Sequence, residues 1–184
     1  MFGRLKRLVT RTEPAHQVWA ADIFVELAPG WCSGMSPNAA DSALASVRDD
    51  PDCVATAYDS TRIDQAVVPT LRVQSKAVEL PEAEREAWLD ATADEFRGHM
   101  GDARDGRFVR SVERVRIPAG EAIRIEIAEV PEPALPHEVV QVHYYVPTDN
   151  GPMALWFACD PRDLEGCRAA FDQMAQTFLF LDRT

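Results

Sequence analysis

Residues 138–159 constrain the fold most. Two alternating stretches flank Pro147-Thr148-Asp149-Asn150-Gly151-Pro152. Asn-Gly favours positive φ and the prolines bar a helix, so the pair predicts an antiparallel hairpin. In strand 138–146, Val140, Val142, Tyr144 and Val146 fall on one face, and Val139, Gln141, His143 and Tyr145 on the other. In strand 153–159, Met153, Leu155, Phe157 and Cys159 share a face opposite Ala154, Trp156 and Ala158. The next residues supply a cover. Asp160 suits an N-cap and Pro161 a first turn, and Leu164, Cys167, Phe171, Met174 and Phe178 recur at three-to-four spacing. Burying each large side chain is worth roughly 1.5–3 kcal/mol, so this helix must pack on the sheet.

Upstream, a strand over 22–28 alternates Ile23, Val25 and Leu27 against Phe24, Glu26 and Ala28, and stops at Pro29-Gly30 before Trp31. An Ala-rich helix is predicted over 38–48, and strands over 53–59 and 67–75. A longer helix starts with Pro81 in its first turn and Glu82, Glu84 and Glu86 near its positive end. Its stripe is Trp88, Leu89, Thr92, Phe96 and Met100, with Gly98 and Gly101 at its end. Strands 107–117 and 121–130 form a hairpin through Pro118-Ala119-Gly120. Opposing Ile117 to Ile123 aligns Val115 with Ile125 and Arg114 with Glu126. The prolines of 131–136 predict a stiff connection. The fold class is therefore α+β: a mainly antiparallel β-sheet packed by two long amphipathic helices, an α/β/α sandwich.

A chain of 184 residues that is 46% hydrophobic suits one domain, here 19–184, behind a basic segment, 1–18. The net charge is −11, but residues 1–12 hold Arg4, Lys6, Arg7 and Arg11 and no acid. The acidic remainder argues against nucleic-acid partners. Phe2, Leu5, Leu8 and Val9 beside those cations allow a short amphipathic helix over 2–11 with weak peripheral membrane contact. The bland alternative is a frayed terminus. No secretory signal is evident at the N-terminus, which predicts a cytoplasmic protein with Cys32, Cys53, Cys159 and Cys167 reduced.

No catalytic, nucleotide or zinc motif stands out, so no catalytic residue, metal or cofactor is assigned. His137 and His143 lie roughly 20 Å apart on one strand, too far to share a metal. Cys159, near a helix N-terminus, has the placement of a low-pKa thiol; the simpler reading makes Cys159 and Cys167 small core side chains. Two candidate binding groups remain. Gln141, His143, Tyr145 and Trp156 share a face that suits recognition, unless the Trp88/Phe96 helix covers it. Arg114, Arg116 and Arg124, with Arg110, would form a positive stripe unless nearby acids pair with them.

Phe24-Val25-Glu26-Leu27-Ala28-Pro29-Gly30-Trp31, the hairpin HYYVPTDNGPMALWFACD and the closing FDQMAQTFLF together resemble the PsbP-like superfamily. That superfamily also holds a Ran-binding nuclear-import factor and many bacterial exported proteins. The resemblance covers most of the chain as an order of elements. It implies an antiparallel sheet between helices and a noncatalytic role, commonly binding other proteins or acting within membrane-associated complexes. It carries over no functional residue. The reading is a noncatalytic protein-interaction or accessory protein with an unidentified protein partner. The alternative is a small-ligand carrier or enzyme of helix-grip type, with Tyr145, Trp156 and His143 lining a pocket.

Overall fold

The computed structural model describes residues 17–20, 23–35, 50–76, 78–101, 106–129, 137–149 and 151–180. The basic segment 2–11, the helix expected over 38–48 and the proline-rich 131–136 lie outside the described residues.

Seven antiparallel strands form the main sheet. They are β3 (Trp31–Ser33), β4 (Cys53–Asp59), β5 (Thr70–Ser75), β6 (Arg107–Ile117), β7 (Gly120–Glu129), β8 (Val139–Val146) and β9 (Met153–Cys159), in spatial order β3-β4-β5-β9-β8-β7-β6. A second, three-stranded sheet joins β1 (Gln17–Ala20), β2 (Ile23–Glu26) and β10 (Leu179–Phe180). The helices are α1 (Glu82–Arg97) and α2 (Leu164–Thr177).

The β8–β9 hairpin pairs Val146 with Met153 and Val142 with Phe157. Gly151 sits at φ 110, and a Cβ there would collide with the carbonyl oxygens of Lys76 and Val78. Glycine is the residue that fits such a close, left-handed turn. Val140, Val142, Tyr144, Leu155, Phe157 and Cys159 all enter the main core. Asp160 caps a single 3-10 turn, Pro161–Asp163, accepting a hydrogen bond from the Arg162 N–H at 2.9 Å before α2 begins. Phe171, Met174 and Phe178 are fully buried against this face. Ile23, Val25 and Leu27 reach the same core from the second sheet, so α2 shares its side of the main sheet with β2.

The other side is covered differently. Helix α1 packs on β6 and β7, where Leu89 and Ala93 meet Val109, Ile123, Ile125 and Ile127. Trp88 and Phe96 are half-buried there, while Met100 stands 47% exposed beyond the helix end. The expected sandwich is thus partial. Helix α1 covers one end of the sheet, and the opposite layer is α2 together with a small sheet that periodicity did not reveal.

Three local expectations are corrected. Strand β5 starts at Thr70 rather than at residue 67, because Pro69 has no N–H for the ladder; its carbonyl accepts from the Asp59 N–H at 2.9 Å. The 22–28 strand ends at Glu26, and Trp31 opens a strand of its own after Gly30 at φ 86. The β6–β7 register is shifted: Ile117 opposes Gly120, Val115 opposes Ala122, Arg114 opposes Ile123, and Glu126 opposes Ser111. The chain reverses over Pro118-Ala119, with Gly120 at φ 135. Strand β7 is buried on both faces, so its alternation does not set the register and the turn does. A bulge at Arg110 then lets Val109 and Val112 both face α1.

Substituting Phe171→Ala should cost about 3–5 kcal/mol in urea unfolding. Trp88→Ala, at the half-buried edge of α1, should cost clearly less. The reverse order would show that α2 is not the principal seal of the core.

Candidate binding face

Strand pairing places Thr56, Arg72, Trp156, His143, Ile125 and Val112 in one row across five shared edges of the sheet. All point to the side that carries α1. Under the helix the row is aliphatic. Toward β5 it becomes a stack of flat polar groups. The His143 imidazole lies parallel to the Trp156 indole, with centroids 4.7 Å apart and planes 8° apart. The Arg72 guanidinium carbon sits 5.4 Å from the same indole. These are stacking and cation–π distances.

Neighbouring rows fix the stack. His143 Nε2 lies 2.7 Å from Gln141 Oε1, and Nδ1 lies 3.3 Å from the Tyr145 hydroxyl. With the amide oxygen as acceptor, Nε2 carries the proton and Nδ1 accepts from Tyr145, which is the neutral imidazole. Burial, and after it the charge of Arg107, bring the His143 pKa down to about 3. Burial also pushes the Tyr145 hydroxyl up to about 12. Phe96 of α1 covers Tyr145 at 5.6 Å. On the far side, the Asp50 carboxylate accepts from Arg72 at 2.8 Å and from the Gln74 amide at 2.6 Å. The Arg72 Nε–H is buried and meets no acceptor among the described residues.

The structure therefore brings Gln141, His143, Tyr145 and Trp156 together, partly under α1 and partly beside it. The arginines do not join them, nor do they form a stripe. Arg114 is pinned to Glu86 at 2.5 Å and to Asp90 at 3.4 Å, and so ties α1 to β6. Arg116 is 84% exposed at the hairpin tip, 3.7 Å from Glu121. Arg110 lies at the bulge, 3.8 Å from Glu126 and 3.6 Å from Glu138. Arg124 is buried on the opposite face, where its Nε donates to the Tyr144 hydroxyl at 3.3 Å; that hydroxyl donates in turn to Asp172 of α2 at 2.5 Å. Alternation separates Arg124 from Arg114 and Arg116 once the true register is known.

Arg72, Gln74 and Asp50 were missed as site residues. The polar, even-numbered positions of Thr70-Leu71-Arg72-Val73-Gln74-Ser75 carried the signal. Among the described residues, no group of three His, Cys, Asp or Glu could hold a metal ion, and no helix is long and apolar enough to cross a membrane.

No family model and no curated protein matches the chain. Among solved structures, it is similar to the cyanobacterial PsbP (CyanoP) of Synechocystis sp., with a TM-score of 0.50 at 9% identity over 97% of this chain and 98% of that one. It is also similar to LpqN of Mycobacterium tuberculosis, a protein involved in cell envelope biogenesis, with a TM-score of 0.53 at 9% identity over 92% of this chain and 90% of that one. The chain has a PsbP-like fold, and at this identity the likeness concerns the fold alone.

His143 also predicts a pH dependence. Its folded pKa lies below the ordinary 6.5, so below pH 6.5 the unfolded chain takes up a proton that the folded chain refuses. The stability it contributes should be present above about pH 6.5 and be lost as pH falls toward 3, at up to about 1.4 kcal/mol per pH unit. His143→Gln should remove this component, so the stability gap between wild type and variant should narrow in acid. A gap independent of pH between 7 and 4 would show that His143 is not held neutral.

Proposed function

We propose that the chain is a noncatalytic interaction or accessory protein, binding a protein partner through the Arg72–Trp156–His143 row and its neighbours Gln141 and Tyr145. The observation that carries this reading is the stack itself. It sets a partly exposed indole and a partly exposed guanidinium side by side on the part of the sheet beside α1. Tryptophan and arginine are the side chains that most often anchor protein interfaces. The rigid first layer is prepaid by folding, because Asp50, Gln141 and Tyr145 already hold its members in place.

Arg114 and Arg116 take a secondary place in this reading, as a rim at the β6–β7 tip. Arg124 belongs to the packing of α2. The reading keeps a single domain and moves its start from residue 19 to Gln17, because Gln17 and Val18 pair with β2. The reading includes a cytoplasmic setting, supported by four cysteines that stand as free thiols. The involvement of LpqN in cell envelope biogenesis makes a partner in an envelope assembly the competing setting.

Crosslinking and affinity capture at native abundance test the reading. A stoichiometric protein should crosslink to β5, β8 or β9, and Arg72→Glu should reduce its capture at least tenfold at a temperature where circular dichroism shows the variant folded. Capture unaffected by Arg72→Glu would remove this face as the binding site. A small molecule retained in native mass spectrometry, with no protein partner recovered, would favour the carrier reading instead.

A further inference from the structure

Cys159 ends β9, and Cys167 lies in the first turn of α2. Both are free thiols, 0% and 3% exposed, and both join the main core. They are not equivalent. Arg62, from the turn after β4, places Nη1 3.1 Å from the Cys167 sulfur. Its own carboxylate partners, Asp59 at 3.4 Å and Asp163 at 3.5 Å, are longer contacts. Gly166 lies against the guanidinium, where a Cβ would come within 3.3 Å of Nη2. The Arg62 side chain is 28% exposed, so it links Cys167 to solvent.

The two thiols are close enough in the core to act on each other's titration. Cys159, and then the nearby Arg62 charge, draw the Cys167 thiol down, against burial. Cys167 and burial push the Cys159 thiol up. The charged form is thus favoured at Cys167, beside the Arg62 cation, over Cys159. A pair of small core side chains needs no such cation.

We propose that Cys159 and Cys167 form an oxidation site for a small hydroperoxide, with Cys167 as the attacking sulfur and Cys159 as the resolving one. The Cys167 thiolate attacks the peroxide, the O–O bond breaks, and Cys167 becomes a sulfenic acid. The released hydroxide or alkoxide takes up the proton that the thiol had lost. The Cys159 sulfur then attacks the Cys167 sulfur. An S–S bond forms, the S–O bond breaks, and the hydroxyl leaves as water with the Cys159 proton. Two thiols are oxidised and one hydroperoxide is reduced. Arg62 stabilises the attacking thiolate, as a cation beside a low-pKa cysteine does. The product staples the end of β9 to the first turn of α2.

Hydrogen peroxide acting on the full chain tests this. After quenching and denaturation, free thiols are alkylated and the chain is cut with trypsin. Cleavage after Arg162 separates Cys159 from Cys167, so the bond appears as two linked peptides released by a reductant. That link should form before modification of Cys32 or Cys53, which are both more exposed. Arg62→Gln should slow it about tenfold, because the cation that favours the thiolate is gone. Cys159→Ala should leave a Cys167 sulfenic acid that a dimedone probe traps. The proposal is overturned if Cys32 or Cys53 reacts while Cys159 and Cys167 remain alkylatable. It is equally overturned if Cys167 is over-oxidised without linking, or if Arg62→Gln leaves the rate unchanged. The wild-type peptide map decides even if a variant does not fold.

Discussion

The structure depends on one aromatic contact. Phe171 of α2 stacks on Phe157 of β9 at 4.8 Å, and Trp31 of β3 meets Phe171 edge-on at 6.1 Å. Phe157 in turn meets Tyr144 of β8 at 6.0 Å. These rings join the centre of the main sheet, its short edge strand and the helix in one dry cluster. All of them except Tyr144 are among the most deeply buried side chains of the chain or lie at 0–2% exposure. Ring contacts of this kind add about 0.5–1.5 kcal/mol beyond area burial, and the area itself contributes more. Ile23 and Val25 of the second sheet are buried in this same core, against the wall that α2 and the main sheet present to them.

With that side sealed, the sheet's two faces take different roles. Toward α2, the polar side chains are fully matched. Arg168 bonds Glu126 at 3.1 Å, and Arg124, Tyr144 and Asp172 form a chain of donors and acceptors. Breaking one member would strand a buried charge, so this network serves alignment of α2 more than net stability. Toward α1, the cover extends over β6 and β7, and the sheet changes from aliphatic to aromatic and polar along a single row. The same alternation that builds the core therefore also assembles the candidate site, since every rung of that row is set by strand register.

Much of this was legible in the chain. The 138–159 hairpin, its two faces and the stripe of α2 follow from period two, an Asn-Gly turn and period three-to-four, because each signal concerns neighbours in sequence. So does the grouping of Gln141, His143, Tyr145 and Trp156. What was not legible depends on partners distant in sequence. Strand β5 lies between β4 and β9, and only that placement sets Arg72 against Trp156. Strand β7 is buried on both faces, with Arg124 and Glu126 buried on one of them, so its pattern could not choose between registers, and the supposed arginine stripe fell with the wrong one. Strands β1 and β10, four and two residues long, are too short for periodicity to announce a second sheet on either side of β2.

The arginines show why formal charge is a poor guide to a binding surface in this chain. Every arginine among the described residues has a carboxylate within ion-pair distance, from Arg62 with Asp59 to Arg168 with Glu126. Exposed pairs of this kind are worth about 0–1 kcal/mol each, and they cancel one another's fields at the surface. A cation used that way cannot also attract an acidic partner from a distance. Arg72 differs because its carboxylate partner holds one edge of the guanidinium, its flat side lies near Trp156, and its Nε–H still has no acceptor. Recognition by this face would rest on shape and a few directed hydrogen bonds, and the surplus negative charge elsewhere would act against poorly matched acidic partners.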